Sequence, residues 1–152
     1  MGTNYYAKRI LSIEDVEKCK KLMDSCEYEE LKDFLHEKTD LVHIGKSSGG
    51  WKFLFNWNNC KYYDLTKTSI IDFLSSNIII NEYGEEMSLE AFLDLVKSKE
   101  DGIDNTEYYT QDGKIYDFLI DCFYPSELEK YHPQNHEFYA DGWRFSTSTD
   151  FS

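Results

Sequence analysis

The seventeen residues from Leu41 to Trp57, LVHIGKSSGGWKFLFNW, concentrate the chemistry-bearing side chains of this chain. His43 is of the type that moves a proton or contacts a ligand near neutral pH. Lys46, Ser47 and Ser48 supply donors for an anion, and the backbone N–H groups of Gly45, Gly49 and Gly50 can form a nest around one. Trp51 offers a flat ring on which a base would stack. The two arginines of the chain, Arg9 and Arg144, are the candidates for forked contacts to a phosphate. Together these residues describe a site for a small, nucleotide-like anion. The plainer alternative is a hairpin in which the glycines satisfy turn geometry, Lys46 is solvated, His43 is hydrogen-bonded and Trp51 is core.

The same segment is a basic island. Residues 41–67 carry Lys46, Lys52, Lys61 and Lys67 against Asp64 alone, while the whole 152-residue chain stands at −13. That charge argues against direct nucleic-acid binding, which needs dense Lys and Arg. It suits a protein that meets a basic partner surface. From Glu82 to Asp121, twelve acids face three lysines, dense enough to mimic nucleic acid in the basic groove of a host enzyme. A solvated acidic face is the simpler reading.

Several enzyme signatures fail on inspection. A phosphate-binding loop needs glycine five positions before Gly45, and Asp40 stands there. Gly45-Lys-Ser-Ser-Gly49 matches a serine-hydrolase elbow formally, but a strand follows where that elbow needs a helix. His132 and His136 lie four apart beside Glu137 without a third zinc ligand, and Pro133 disfavours a regular helix. Cys19, Cys26, Cys60 and Cys122 form no Cys-x-x-Cys pair and read as reduced thiols, so neither a metal nor a cofactor is expected. What remains of catalysis is His43 as a general base with Lys46 steadying an anion. A binder without turnover is preferred to it.

These residues need a scaffold, and hydrophobic spacing outlines one. Residues 1–10 read as a strand. Ser12 with Asp15 opens a helix carrying Ile13, Val16 and Met23, and a second helix follows near 27–37 with Tyr28, Leu31, Phe34 and Leu35 on one face. Strands are expected at 41–44 and 51–57, joined by the loop 45–50, with Trp51, Phe53, Phe55 and Trp57 on one face. Residues 68–76 and the stretch after Ser88 read as helices and 78–81 as a strand. Residues 99–113 read as a loop, 114–123 as helix or strand, and 138–147 as a hairpin turning at Asp141-Gly142. The fold class expected is a single α+β domain, residues 1–152, with an antiparallel or mixed sheet. Aromatics make up 16% of the chain, enough for a core and for an interface, which leaves room for a homo-oligomer. No run reaches the roughly 20 apolar residues of a membrane span. The first residues lack an apolar signal region, so the expected location is the cytoplasm.

The opening MGTNYY, the HIGKSSGGW segment at His43–Trp51, the Asn81-Glu-Tyr-Gly84 turn and the closing DGWRFSTSTDFS resemble a family of small uncharacterised phage and prophage proteins. The resemblance spans most of the chain. It implies a host-interaction setting, in which small accessory proteins disable host defence components or sequester their nucleotide signals. Many members of that family carry a Cys-x-x-Cys element that looks zinc-binding. This sequence departs there, with Cys19 and Cys26 seven apart, and no metal is carried over. The readings that follow are a ligand binder acting by sequestration, an acidic inhibitor of a host protein, and, third, an enzyme using His43.

Overall fold

The computed structural model describes residues 2–56, 62–63, 66–104, 109–110, 128–132 and 137–146. In chain order, β1 (Gly2–Lys8) leads into α1 (Ile13–Asp24) and α2 (Tyr28–Thr39), a helical hairpin that returns as β2 (Val42–Ser48). Next come β3 (Leu54–Asn56), α3 (Lys67–Ser75), β4 (Ile78–Asn81), β5 (Glu86–Met87) and α4 (Leu89–Ser98). The remaining strands are β6 (Tyr109–Thr110), β7 (Leu128–His132), β8 (Glu137–Ala140) and β9 (Trp143–Ser146). They form one sheet in the order β5-β4-β1-β2-β3-β9-β8-β7-β6. Neighbours are antiparallel except β3 and β9, which run parallel and join two antiparallel halves. The fold class is α+β with a mixed sheet.

Local chemistry sets the helix starts. Asp15 N donates to Ser12 Oγ at 3.1 Å and Ser12 N donates to the Asp15 carboxylate at 3.3 Å, a closed capping box for α1. Thr66 and Ser88 cap α3 and α4 by accepting from Ser69 N and Ala91 N. Such a cap stabilises a helix by about 1 kcal/mol.

Apolar side chains of α3 (Ile70, Leu74) and α4 (Phe92, Val96) pack on one face of the sheet. That face presents Tyr5, Ala7, Val42, Ile44, Phe53, Phe55, Ile79, Phe138, Ala140 and Phe145. Phe92 sits at its centre, edge-on to Phe53 at 5.3 Å and to Tyr5 at 5.9 Å. Fully burying each such ring contributes roughly 1.5–3 kcal/mol. On the opposite face, the pleat places Asn4, Tyr6, His43, Lys46, Asn56, Glu137, Tyr139, Arg144 and Ser146. Asn56, Glu137, Tyr139, Arg144 and Ser146 are nonetheless buried.

Three expectations change. The strand expected at 41–44 runs on to Ser48, so Gly45 to Ser48 are sheet residues rather than loop. Of the strand expected at 51–57, only Leu54–Asn56 pairs in the sheet, and Trp57 lies outside the described residues. Trp51 N donates to Ser48 O at 3.1 Å to close a tight turn, with Gly50 at a φ of +79° that suits glycine. The chain then swings away to meet the segment after α4: Lys52 N donates to Ile103 O at 3.0 Å, and Ile103 N to Gly50 O at 2.7 Å. Gly102 permits that approach, because a Cβ there would stand 2.6 Å from Lys52 N. Within the acidic segment expected to be a loop, Tyr109–Thr110 pairs as β6. The stretch 114–123 lies outside the described residues.

Candidate functional site

β1 and β2 bring the two ends of the opening motifs together. Their register sets Asn4 opposite Lys46 and Tyr6 opposite His43, with a bulge between. The His43 ring stacks on Tyr6 at 4.8 Å and 24°, and its Nε2–H donates to Asn4 Oδ1 at 3.0 Å. Burial pushes the His43 imidazole below its ordinary pKa; a hydrogen bond with the Gly45 backbone opposes this, and the Lys46 charge adds to it. Burial thus favours the neutral ring, which Tyr6, Asn4 and the Gly45 backbone hold in place.

The anion nest expected over residues 45–50 does not form along β2. The strand pairs with β1 along its length and with β3 at Gly45 and Lys46. Successive N–H groups of an extended strand point to opposite sides, so they cannot converge on one anion. Gly45 has a packing role instead: a Cβ there would come 2.7 Å from the Phe53 ring. Gly49 and Gly50 remain as an open turn, with nothing within 4 Å of a Cβ at either position.

A second assembly lies where β3 and β9 begin and α4 ends. Lys52, Phe53, Phe55, Val96, Lys99, Glu100, Tyr139, Gly142, Trp143 and Arg144 line a cavity of about 250 Å³. Its cations lean on rings. Lys52 Nζ lies 5.9 Å from the Tyr139 ring centre, and the Arg144 guanidinium 5.3 Å from that of Trp51. Just outside, Lys67 Nζ lies 5.5 Å from the Trp143 ring, whose plane stacks on Phe55 at 4.5 Å and 13°. Lys99 Nζ reaches toward Ser48 O at 3.5 Å. Among the lining residues three are basic and one acidic, in a chain of −13.

No family model, curated protein or solved structure matches this chain.

Arg144 cannot be read as an idle phosphate fork. Its Nε and Nη2 donate to the two carboxylate oxygens of Glu137 at 3.0 and 2.7 Å, and Nη1 donates to Lys52 O at 3.0 Å. Glu137, which neighbours His136 in sequence, is a buried β8 residue. Tyr139 OH donates to Asp104. Arg9 lies elsewhere: Nε donates to Asp40 O at 3.1 Å and Nη2 to Glu37 O at 2.5 Å, tying the end of α2 to β1, and its guanidinium stands 5.0 Å from the Tyr62 ring.

The ten residues singled out thus divide into separate places. His43 and Lys46 share the β1–β2 face, Arg144 lines the cavity with the Trp51 ring beside its guanidinium, Lys99 of that lining reaches toward Ser48, and Arg9 is at the hairpin base. Ser47 pairs opposite Thr3 on β1. Lys52, Lys99, Tyr139 and Trp143 were not foreseen as site residues. Lys52 alone carried a signal, as a member of the basic island. Among the described residues no group of three or more His, Cys, Asp and Glu could hold a metal, and no helix is long and apolar enough to cross a membrane.

Proposed function

We propose that this protein binds a small, anionic, nucleotide-like ligand without turning it over, in the cavity lined by Lys52, Lys99 and Trp143. The observation that carries this is the gathering of basic and aromatic side chains on one cavity in a strongly acidic chain. Lys52 and Lys99 meet the charged group, and Trp143 and Tyr139 border the flat one. At about 250 Å³ the cavity is a little under the roughly 300 Å³ of the smallest drug-sized pockets, which selects a small molecule. Its described lining residues include no Ser, Cys or His, which favours binding over nucleophilic turnover. The family resemblance supplies the setting: an accessory protein of a phage or prophage that counters host defence by sequestering a nucleotide signal.

The test is thermal stabilisation of the purified protein by mono-, di- and cyclic nucleotides, with inorganic phosphate as the control. A ligand at 100 times its Kd stabilises by about 2.7 kcal/mol, readily seen as a melting shift. Losing a charge-assisted contact costs about 1.5–3 kcal/mol, so Lys52→Ala and Lys99→Ala should each weaken binding by roughly 10- to 100-fold. Lys46→Ala should leave the affinity within a few-fold, and the nucleotide should be recovered unchanged. A flat panel with folded protein overturns the ligand reading. A shift lost only in Lys46→Ala moves the site to the β1–β2 face, and hydrolysed nucleotide restores the enzyme reading.

A further inference from the structure

We propose that the α1–α2 hairpin is a docking arm for a protein surface with an apolar centre and a basic rim. This goes beyond the ligand cavity and shares no residue with it. The hairpin is inserted between adjacent strands β1 and β2, and its two helices pack on each other. Of its 24 helical residues only Leu22 and Leu31 are buried, and neither belongs to the central core. Isolated helices of twelve residues are marginal in water, so a hairpin this thinly buried gains little from its own sequence.

Among the side chains it leaves in water are several large apolar ones. Ile13 is 81% exposed, Met23 57%, Tyr28 60% and Val16 37%, with exposed Ile10 and Leu41 at the base. Ile13, Val16 and Met23 follow helical spacing along one stripe of α1, interrupted by Lys20. Exposed apolar side chains gathered on one face with a polar rim mark interaction sites. At the tip, Glu27, Glu29 and Glu30 surround Tyr28 and Cys26 around an open hollow of about 360 Å³.

Charge selects the occupant. From Ile13 to Asp40 there are ten acids against five lysines. A second copy would set this acidic arm against another chain of net −13, and an anionic membrane surface repels it in the same way. A basic rim instead pairs with the glutamates, and a Lys or Arg side chain finds the Tyr28 ring and its acidic neighbours together.

The probe is a fluorescein-labelled amphipathic helical peptide of leucine and lysine, titrated into the intact protein and read by anisotropy. Its leucine–glutamate and serine–lysine counterparts serve as controls. Only the leucine–lysine peptide should bind well, more weakly as salt rises. The triple substitution Ile13→Ser, Val16→Ser and Met23→Ser should raise its Kd at least tenfold. Glu27→Gln, Glu29→Gln and Glu30→Gln together should raise the Kd and flatten the salt dependence. Because these side chains are exposed, both variants should keep the wild-type melting temperature, circular dichroism and nucleotide response. Equal binding by both variants and wild type, equal binding of the leucine–glutamate peptide, or no binding at all overturns the proposal. A dimer in sedimentation that the serine variant dissolves overturns it in favour of self-association.

Discussion

Replacing Arg144 with Met should cost far more than removing a surface charge, and the structure sets the size. Arg144 and Glu137 are both more than nine-tenths buried and joined by two parallel hydrogen bonds of 2.7 and 3.0 Å. Arg144→Met removes the guanidinium but leaves the carboxylate buried, and it strips the Lys52 carbonyl of the donor it holds at 3.0 Å. Breaking a buried pair in this way costs about 3–5 kcal/mol. Total stability for a domain of this size is about 5–15 kcal/mol, and each kcal/mol shifts Tm by about 2–4 °C. The variant should therefore melt roughly 6–20 °C lower. Urea unfolding followed by Trp fluorescence measures the loss. The decisive comparison is the double variant Glu137→Met and Arg144→Met, which removes both charges at similar volume. Replacing a whole buried pair by apolar side chains is often neutral or stabilising, so the double variant should recover most of the loss. A cost below about 1 kcal/mol for Arg144→Met, or a double variant showing the plain sum of the single losses, would refute the buried-pair reasoning.

Three further outcomes follow from other contacts. Because His43 has a lowered pKa when folded, the unfolded chain binds the proton more tightly. That stability is present above about pH 6.5, the ordinary imidazole value, and is lost as pH falls from there toward the lowered folded value. Urea midpoints from pH 8 to 5 should show an acid-side decline that is shallower in His43→Gln, and equal slopes would count against it. Lys46→Ala should raise the His43 titration midpoint in an NMR pH series, since the Lys46 charge helps to lower it; no movement means the two groups do not interact. Gly45→Ala should destabilise by about 1–3 kcal/mol, because the added methyl meets the Phe53 ring and the Leu54 backbone, whereas Gly49→Ala has open space and should change stability by less than about 0.5 kcal/mol. Equal effects in a denaturant titration would contradict the extended placement of Gly45.

Much of the scaffold was legible because it rests on short-range rules. The Ser12–Asp15 box, the Ser88 cap and the Phe92–Val96 stripe each lie within a few residues and recur as expected. So does the turn at Asp141-Gly142, where both residues take the positive φ of a type I′ hairpin turn. The β2–β3 connection is shorter than its glycine count suggests. Four of the six residues from Gly45 to Gly50 are strand, and Gly45 is small because Phe53 and Leu54 press on it from the adjacent segment. Alternation from Trp51 to Trp57 puts Phe53 and Phe55 on one face, and both join the core. It could not show that Ile103 would draw Trp51 and Lys52 out of the sheet, because that contact depends on Gly102, about fifty residues away.

The candidate site was less legible because it is built by that same long-range geometry. Lys46 and Lys52 belong to one basic island in sequence, yet the turn at Gly49-Gly50 parts them. Lys46 stays on the β1–β2 face near His43, while Lys52 moves beside Tyr139 and Arg144. The parallel pairing of Leu54 with Arg144 closes the sheet at this point and carries the β8–β9 turn alongside the end of α4. Asp141, at that turn, accepts from Lys67 N at 2.7 Å and ties α3 to the same corner. Lys52, Lys99 and Arg144 are thus gathered by three separate connections, none visible in a local charge count. Like charges so gathered in a chain otherwise rich in acids repel one another. Glu137 offsets Arg144, and the rings of Tyr139 and Trp143 lie beside Lys52 and Lys67. Under the proposed ligand reading, an anion seated there would meet Lys52 and Lys99, with Glu100 on the same lining.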